Sequence, residues 1–184
     1  MLNKSDIELV NEFKNGNISA FDEIVRRYQK RVYSLARKIL ANHDDADDVA
    51  QEVFIKLFNS LHDFKGESSL FTWIYRITVN ECNNVLRKKK IKEFIPIDEI
   101  ANLLKLSETP EQELFDKEER NLIERAVEKL PAKQRTVFVM RFFENLDYEE
   151  ISKILNKPIG TLKANYFHAV KKIQKFIKDE MQGS

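Results

Sequence analysis

Residues 147–173 read as a short helix, a tight turn and a longer helix, and this unit limits what the rest of the chain is free to become. Tyr148, Ile151, Ile154 and Leu155 recur at helical spacing. Asp147 precedes them as a cap, with Glu149 and Glu150 in the first turn, where the helix dipole favours acids. Asn156-Lys157-Pro158 then stops the pattern. Asn tolerates a left-handed backbone, and the residue before a proline is pushed out of the helical region. A second helix beginning near Ile159 to Thr161 buries a stripe of Leu162, Tyr166, Ala169 and Ile173.

The other side of that second helix carries the chemistry. With about 100° between successive residues, Ala164, Phe167, His168 and Lys171 lie opposite the buried stripe, flanked by Lys163, Asn165 and Lys172. Seven lysines and no acid stand between Ile151 and Lys178. A helix-turn-helix with a basic, small-residue outer face suits a DNA major groove. Its lysines would neutralise phosphate, and Ala164, Asn165 and His168 are placed for base edges. A helical hairpin with a solvated lysine face has the same pattern, so the motif is only moderately specific.

Four glycines and four prolines in 184 residues, with long stretches of 3.6-residue period, predict an all-α protein. The formal net charge of +1 hides an asymmetry. Residues 1–90 hold 15 basic and 13 acidic groups, residues 91–118 hold 3 and 8, and residues 119–184 hold 13 and 9. Two mildly basic blocks therefore flank an acidic connector. The N-terminus has acids where a signal peptide would be apolar, and no apolar run approaches the ~20 residues that span a bilayer. Cys82 is a single cysteine, which excludes a disulfide framework. The expectation is a cytoplasmic protein without membrane insertion.

Ahead of the helix-turn-helix, helices are predicted over 5–15, closed by Gly16, and over 19–40, with Phe21, Ile24, Val25, Tyr28, Val32, Leu35, Ile39 and Leu40 on one face. A third, over 44–61, opens with Asp44, Asp45, Asp47 and Asp48 and buries Ala46, Val49, Val53, Leu57 and Leu61. That acidic cluster lacks the glycine and ligand spacing of a calcium loop, so dipole matching and a solvated or docking face explain it better.

After a break at 62–69 comes a helix over 69–90 with three faces. Leu70, Trp73, Ile74, Ile77 and Val85 form its main apolar stripe, and Phe71, Tyr75, Thr78, Cys82 and Leu86 a second. Between them runs a polar row, Thr72, Arg76, Asn80, Asn83 and Arg87, ending in a basic Lys88-Lys89-Lys90. Amides and cations ranked beside aromatic rings are what single-stranded nucleic acid asks for, with Phe64 in the loop as a stacking ring. Against this, a tryptophan at helical spacing is more often core, and lysines at a helix end also answer the dipole.

Residues 91–110 read as an acidic linker with a short amphipathic helix at 98–106. Helices follow from about 111 to 129 and from Pro131 to Phe143. The expected organisation is two small helical domains, 1–90 and 111–184, joined by that linker, with the helix-turn-helix in the second. The three histidines are scattered and no Gly-rich phosphate loop exists, so no catalytic residue, metal, cofactor or small-molecule substrate is expected. From residues alone, a two-domain DNA-binding regulator and a helical RNA-binding protein both stay open.

Nearly the whole chain resembles sigma factors of the extracytoplasmic-function (ECF) type, in the sigma-70 superfamily. The stretches that carry the resemblance are AFDEIVRRYQKRVYSLARKIL, DDADDVAQEVFIKLF, SSLFTWIYRITVNECNNVLRKK and LPAKQRTVFVMRFFENLDYEEISKILNKPIGTLKANYFHAVKKI. The resemblance implies a protein that binds RNA polymerase core and directs it to promoter DNA, with an anti-sigma factor as its habitual partner. It further implies a core-docking helix at Asp45, Asp48, Gln51, Glu52 and Ile55. The minus-10 reader would comprise Phe64, Thr72, Arg76, Asn80, Asn83, Arg87 and Lys88. A minus-35 reader would comprise Thr161, Lys163, Ala164, Asn165, Phe167, His168, Lys171 and Lys172. The family commonly has Gly in the turn and arginines in the recognition helix, where this chain has Asn156, Asn165, His168 and Val170. A minus-35 preference not dominated by Arg–guanine pairs is therefore expected.

Overall fold

The computed structural model describes residues 4–93 and 114–182, and every described element is helical. The chain order is α1 (Asp6–Lys14), α2 (Ser19–Leu40), α3 (His43–Ser60), a 3₁₀ turn (Leu61–Asp63) and α4 (Leu70–Glu93), followed by α5 (Leu114–Glu128), α6 (Ala132–Phe138), a π-helical turn (Val139–Phe143), α7 (Tyr148–Leu155) and α8 (Ile159–Gln182). The helix expected at 98–106 lies outside the described residues.

Helix α2 is the spine of the N-terminal group. Ile24, Val32, Leu35 and Ile39 are fully buried and Tyr28 nearly so, along the face its periodicity predicts. Each such side chain contributes about 1.5–3 kcal/mol by leaving water. Its end is abrupt. Ala41 adopts a left-handed conformation at φ 55° and returns its N–H to the carbonyl of Arg37. Asn42 then caps α3, its side chain accepting from the N–H of Asp45 at 2.9 Å. Helices α2 and α3 thus turn back on each other in two residues, and α4 packs against both.

In the C-terminal group the expected capping holds. Asp147 and Glu150 form a reciprocal capping box at the start of α7, and Asn156 ends that helix at φ 51°. The continuous helix expected from Pro131 to Phe143 is instead α6 followed by a π-helical turn. The wider turn lets Val139 and Met140 both be fully buried while Phe142, stacked on Phe138 at 5.1 Å, remains half exposed.

Both expected apolar stripes of α4 are buried in part: Leu70 and Ile74 on the main stripe, with Trp73, Ile77 and Val85 half-buried, and Tyr75, Thr78 and Cys82 on the second, with Phe71 and Leu86 half-buried. Val79, on neither, is 2% exposed. The reason is tertiary: α4 meets α2 and α3 along one side and α6 and α7 along another. Burial, aided by Glu81, pushes the Cys82 thiol up to about 12, so it stays protonated.

Candidate nucleic-acid interface

The turn between α7 and α8 is closed by side chain as well as backbone. The Ser152 hydroxyl donates to the carbonyl of Lys157 at 2.7 Å, and the N–H of Leu162 donates to the carbonyl of Pro158 at 3.2 Å. Leu162, Ala169 and Ile173 are buried, and the half-buried Tyr166 stacks on Phe138 with centroids 5.7 Å apart. This packing fixes the rotation of α8. Thr161, Lys163, Ala164, Phe167, His168, Lys171 and Lys172 are all left exposed.

Three of these form a local cluster. Lys171 Nζ lies 4.5 Å from the centre of the Phe167 ring, which meets His168 edge-on at 5.7 Å. A cation over an aromatic face orders both side chains. Asn165 behaves differently: it is half-buried, and its Nδ2 donates to the carbonyl of Thr161 at 3.0 Å within the same helix. That bond commits one of its two amide hydrogens and leaves the other, with Oδ1, for a base edge.

On α4, Asn80, Asn83 and Arg87 stand exposed in one row with Lys88 exposed beside it, and Arg87 is steadied by Asn84 at 2.8 Å. The first part of the row does not. Thr72 is 7% exposed, its hydroxyl bonded to Ser69 in the cap of α4. Arg76 is half-buried and donates to the backbone carbonyl of Lys153, in α7, at 2.6 Å. Phe64 departs furthest from its expected role as a presented ring. It is 7% exposed and packs on Trp73 at 5.0 Å, while Lys14 Nζ holds its carbonyl at 2.6 Å. The loop at 62–69 is too short to carry a large apolar ring in water when a tryptophan lies beneath it. A base reaches Phe64 only if that loop opens.

The outer face of α3 presents Asp48, Gln51, Glu52 and Ile55, the last 55% exposed. Asp45 is half-buried and paired with Lys89 at the basic end of α4. Phe58, one turn beyond Ile55, is 41% exposed at the edge of this face, its ring packed edge-on against Phe13 at 5.3 Å and Phe21 at 5.0 Å. Its i, i+3 spacing from Ile55 was the available sequence signal. Among the described residues no three His, Cys, Asp or Glu side chains converge to hold a metal, and no helix is long and apolar enough to cross a membrane.

Two exposed polar helix faces on an all-helical chain, one within a helix-turn-helix, define the class. Residues 24–91 match the model for Sigma-70 region 2, and residues 120–173 match that for Sigma-70, region 4. The chain belongs to the sigma-70 family, whose members direct promoter-specific transcription. It is 32% identical over 183 residues to the RNA polymerase sigma-H factor of Pseudomonas aeruginosa, covering 95% of each chain. It is 35% identical over 173 residues to the ECF RNA polymerase sigma-E factor of Escherichia coli K12, covering 90% of each. Within the family it is of the ECF type. The fold is shared with the sigma factor RpoE of Bartonella quintana, solved in complex with the anti-sigma factor NepR, at a TM-score of 0.66 and 22% identity over 86% of this chain and 96% of that one.

Proposed function

We propose that the two exposed faces divide promoter recognition between them, in a domain formed by residues 1–90 and one formed by residues 111–184. The exposed α8 residues meet the minus-35 duplex, with Lys163, Lys171 and Lys172 on phosphates and Ala164, Phe167 and His168 toward base edges. The row Asn80, Asn83 and Arg87 on α4, with Lys88 beside it, takes the unpaired minus-10 strand, where amides reach bases and cations hold the backbone. The exposed face of α3 docks on RNA polymerase core. Polymerisation chemistry belongs to the polymerase, and the protein works in the cytoplasm. By likeness to the relative bound to NepR, an anti-sigma factor is the partner that withholds it.

The observation that carries this reading is the exposed run of amide and cationic side chains at Asn80, Asn83, Arg87 and Lys88 on α4, backed by an α8 without acids from Ile159 to Lys178. The test is transcription by bacterial core polymerase on fragmented genomic DNA with and without the protein, sequencing RNA 5′ ends. New starts sharing two upstream motifs at constant spacing are expected. Absence of both new starts and core binding would leave a DNA-binding regulator that acts alone.

His168→Ala, at the exposed Phe167–Lys171 cluster, is expected to change the preferred minus-35 sequence by about 1–3 kcal/mol at one position, read by selection of promoter variants. Uniformly weaker binding without a changed preference would demote His168 to a phosphate contact.

A further inference from the structure

Between Leu70 and Lys90 the chain has a single acid, Glu81, directly after Asn80 in the helix assigned to the DNA strand. A bare carboxylate there would compete with phosphate for the cations of the row. Its side chain is only 14% exposed, however, and is tied to α3. Lys56 Nζ of α3 donates to Glu81 Oε1 at 2.7 Å, and the same oxygen accepts from Asn84 Nδ2 at 3.3 Å. Asn84 Oδ1 in turn accepts from the Arg87 guanidinium at 2.8 Å. Lys56 also lies 3.6 Å from Glu52 within α3. Its bond to Glu81 is the main reason that the Lys56 ammonium is held above its ordinary value.

We infer that Lys56, although it lies on α3 and outside the row, is a positioning residue for strand binding: it holds Glu81, Glu81 orients the Asn84 amide, and that amide carries Arg87. This rests on the assignment of the α4 row to the minus-10 strand. An amide has one donor end and one acceptor end, and a guanidinium has donors alone. With Glu81 taking its NH2, Asn84 turns Oδ1 to Arg87. Reversed, the amide would set donor against donor. Lys56 meets the second requirement, which is charge. It neutralises Glu81 in place, so the carboxylate does not draw Arg87 away from phosphate.

Holding the fold together does not explain this chain of contacts. Lys56 is 44% exposed, and exposed ion pairs contribute little to stability. Stability at this level comes from the buried Val53 and Leu57 of α3 and Val79 and Cys82 of α4. What the pair changes is order. A side chain already held in place loses less freedom when it meets its ligand, so an arginine fixed in advance binds phosphate more tightly.

The test uses the full-length protein saturated with core polymerase and reads binding of a fluorescent single strand carrying the minus-10 motif at several salt concentrations. Lys56→Met is expected to weaken strand binding about fivefold, the effect of one hydrogen-bonded contact loosened. Thermal denaturation of the free variant is expected to match the parent, as at other exposed positions. Lys56→Arg keeps the cation, and Lys56→Met/Glu81→Gln keeps an acceptor for Asn84 without a charge. Both are expected to bind within about twofold of the parent. In an Arg87→Ala background, Lys56→Met is expected to have no further effect, because the side chain it positions is gone. Parental affinity in a folded Lys56→Met protein overturns the inference. So does a Lys56→Met/Glu81→Gln protein as weak as Lys56→Met, with a salt slope shallower by about 0.7, which would make Lys56 itself a phosphate contact. If Asn80→Ala and Arg87→Ala both bind the strand as the parent does, the assignment of the row to the strand fails, and the inference falls with it.

Discussion

Asn80→Ala is expected to slow promoter opening roughly 5- to 150-fold, since a lost polar contact to a base costs about 1–3 kcal/mol and each 1.4 kcal/mol is tenfold. Asn80 is exposed at the centre of the α4 row, with Arg76 one turn before it and Asn83 and Arg87 after it. Nothing in its position supports the fold: the neighbouring Val79 and Cys82 carry the burial at this level, at 2% and 0% exposure. Permanganate footprinting of the melted region, beside a core-binding titration, separates the possible outcomes. Loss of opening with core affinity intact is the expected result. An equal fall in both would make the row structural and would remove the main support for its reading role. Arg87→Ala is expected to act in the same direction with a stronger salt dependence, because its contribution falls on phosphate.

A second large effect separates two residues of α3 that are almost adjacent in sequence. Leu57 is fully buried and Ile55 is 55% exposed. Leu57→Ala is expected to cost about 2–5 kcal/mol through lost transfer energy and the cavity left between α2, α3 and α4. That lowers the melting temperature by roughly 5–20 °C for a chain of this size. Ile55→Ala is expected to leave stability within about 0.5 kcal/mol, as surface substitutions do. It should weaken core polymerase binding by about tenfold if Ile55 anchors that interface. Thermal denaturation and core titration of the two variants give opposite patterns if α3 has one packing face and one docking face. A stable Leu57→Ala protein, or an Ile55→Ala protein with unaltered core affinity, would contradict that division.

Much of this molecule could be read without coordinates, for a local reason. Helix periodicity, an Asn able to turn left-handed before Lys157-Pro158, and an acid placed to cap α7 act over one to four residues. The burial of Leu162, Ala169 and Ile173, and with it the exposure of Lys163, Ala164, Phe167, His168 and Lys171, followed from spacing alone. Along α2 and α3 the predicted apolar faces are the buried ones, since each of those helices turns one stripe to the core.

Periodicity failed where a helix has more than one neighbour. On α4 it set the Trp73 stripe above the Tyr75 stripe, whereas packing against α7 as well as α2 and α3 buries part of each, Leu70 and Ile74 on one and Tyr75, Thr78 and Cys82 on the other. It placed Phe64 as an offered ring because it lies in a loop, although Trp73 covers it and Lys14, fifty positions away, fixes its backbone. Asn165 was counted among the outward donors without its bond to the preceding turn. Helix identity, caps and the sign of each face were determined by the sequence alone, because they depend on neighbours in the chain. Which residues of the α4 row are available, and that α7 holds one of them, were decided only by tertiary structure, because such contacts join residues whose separation along the chain bears no relation to their distance in space.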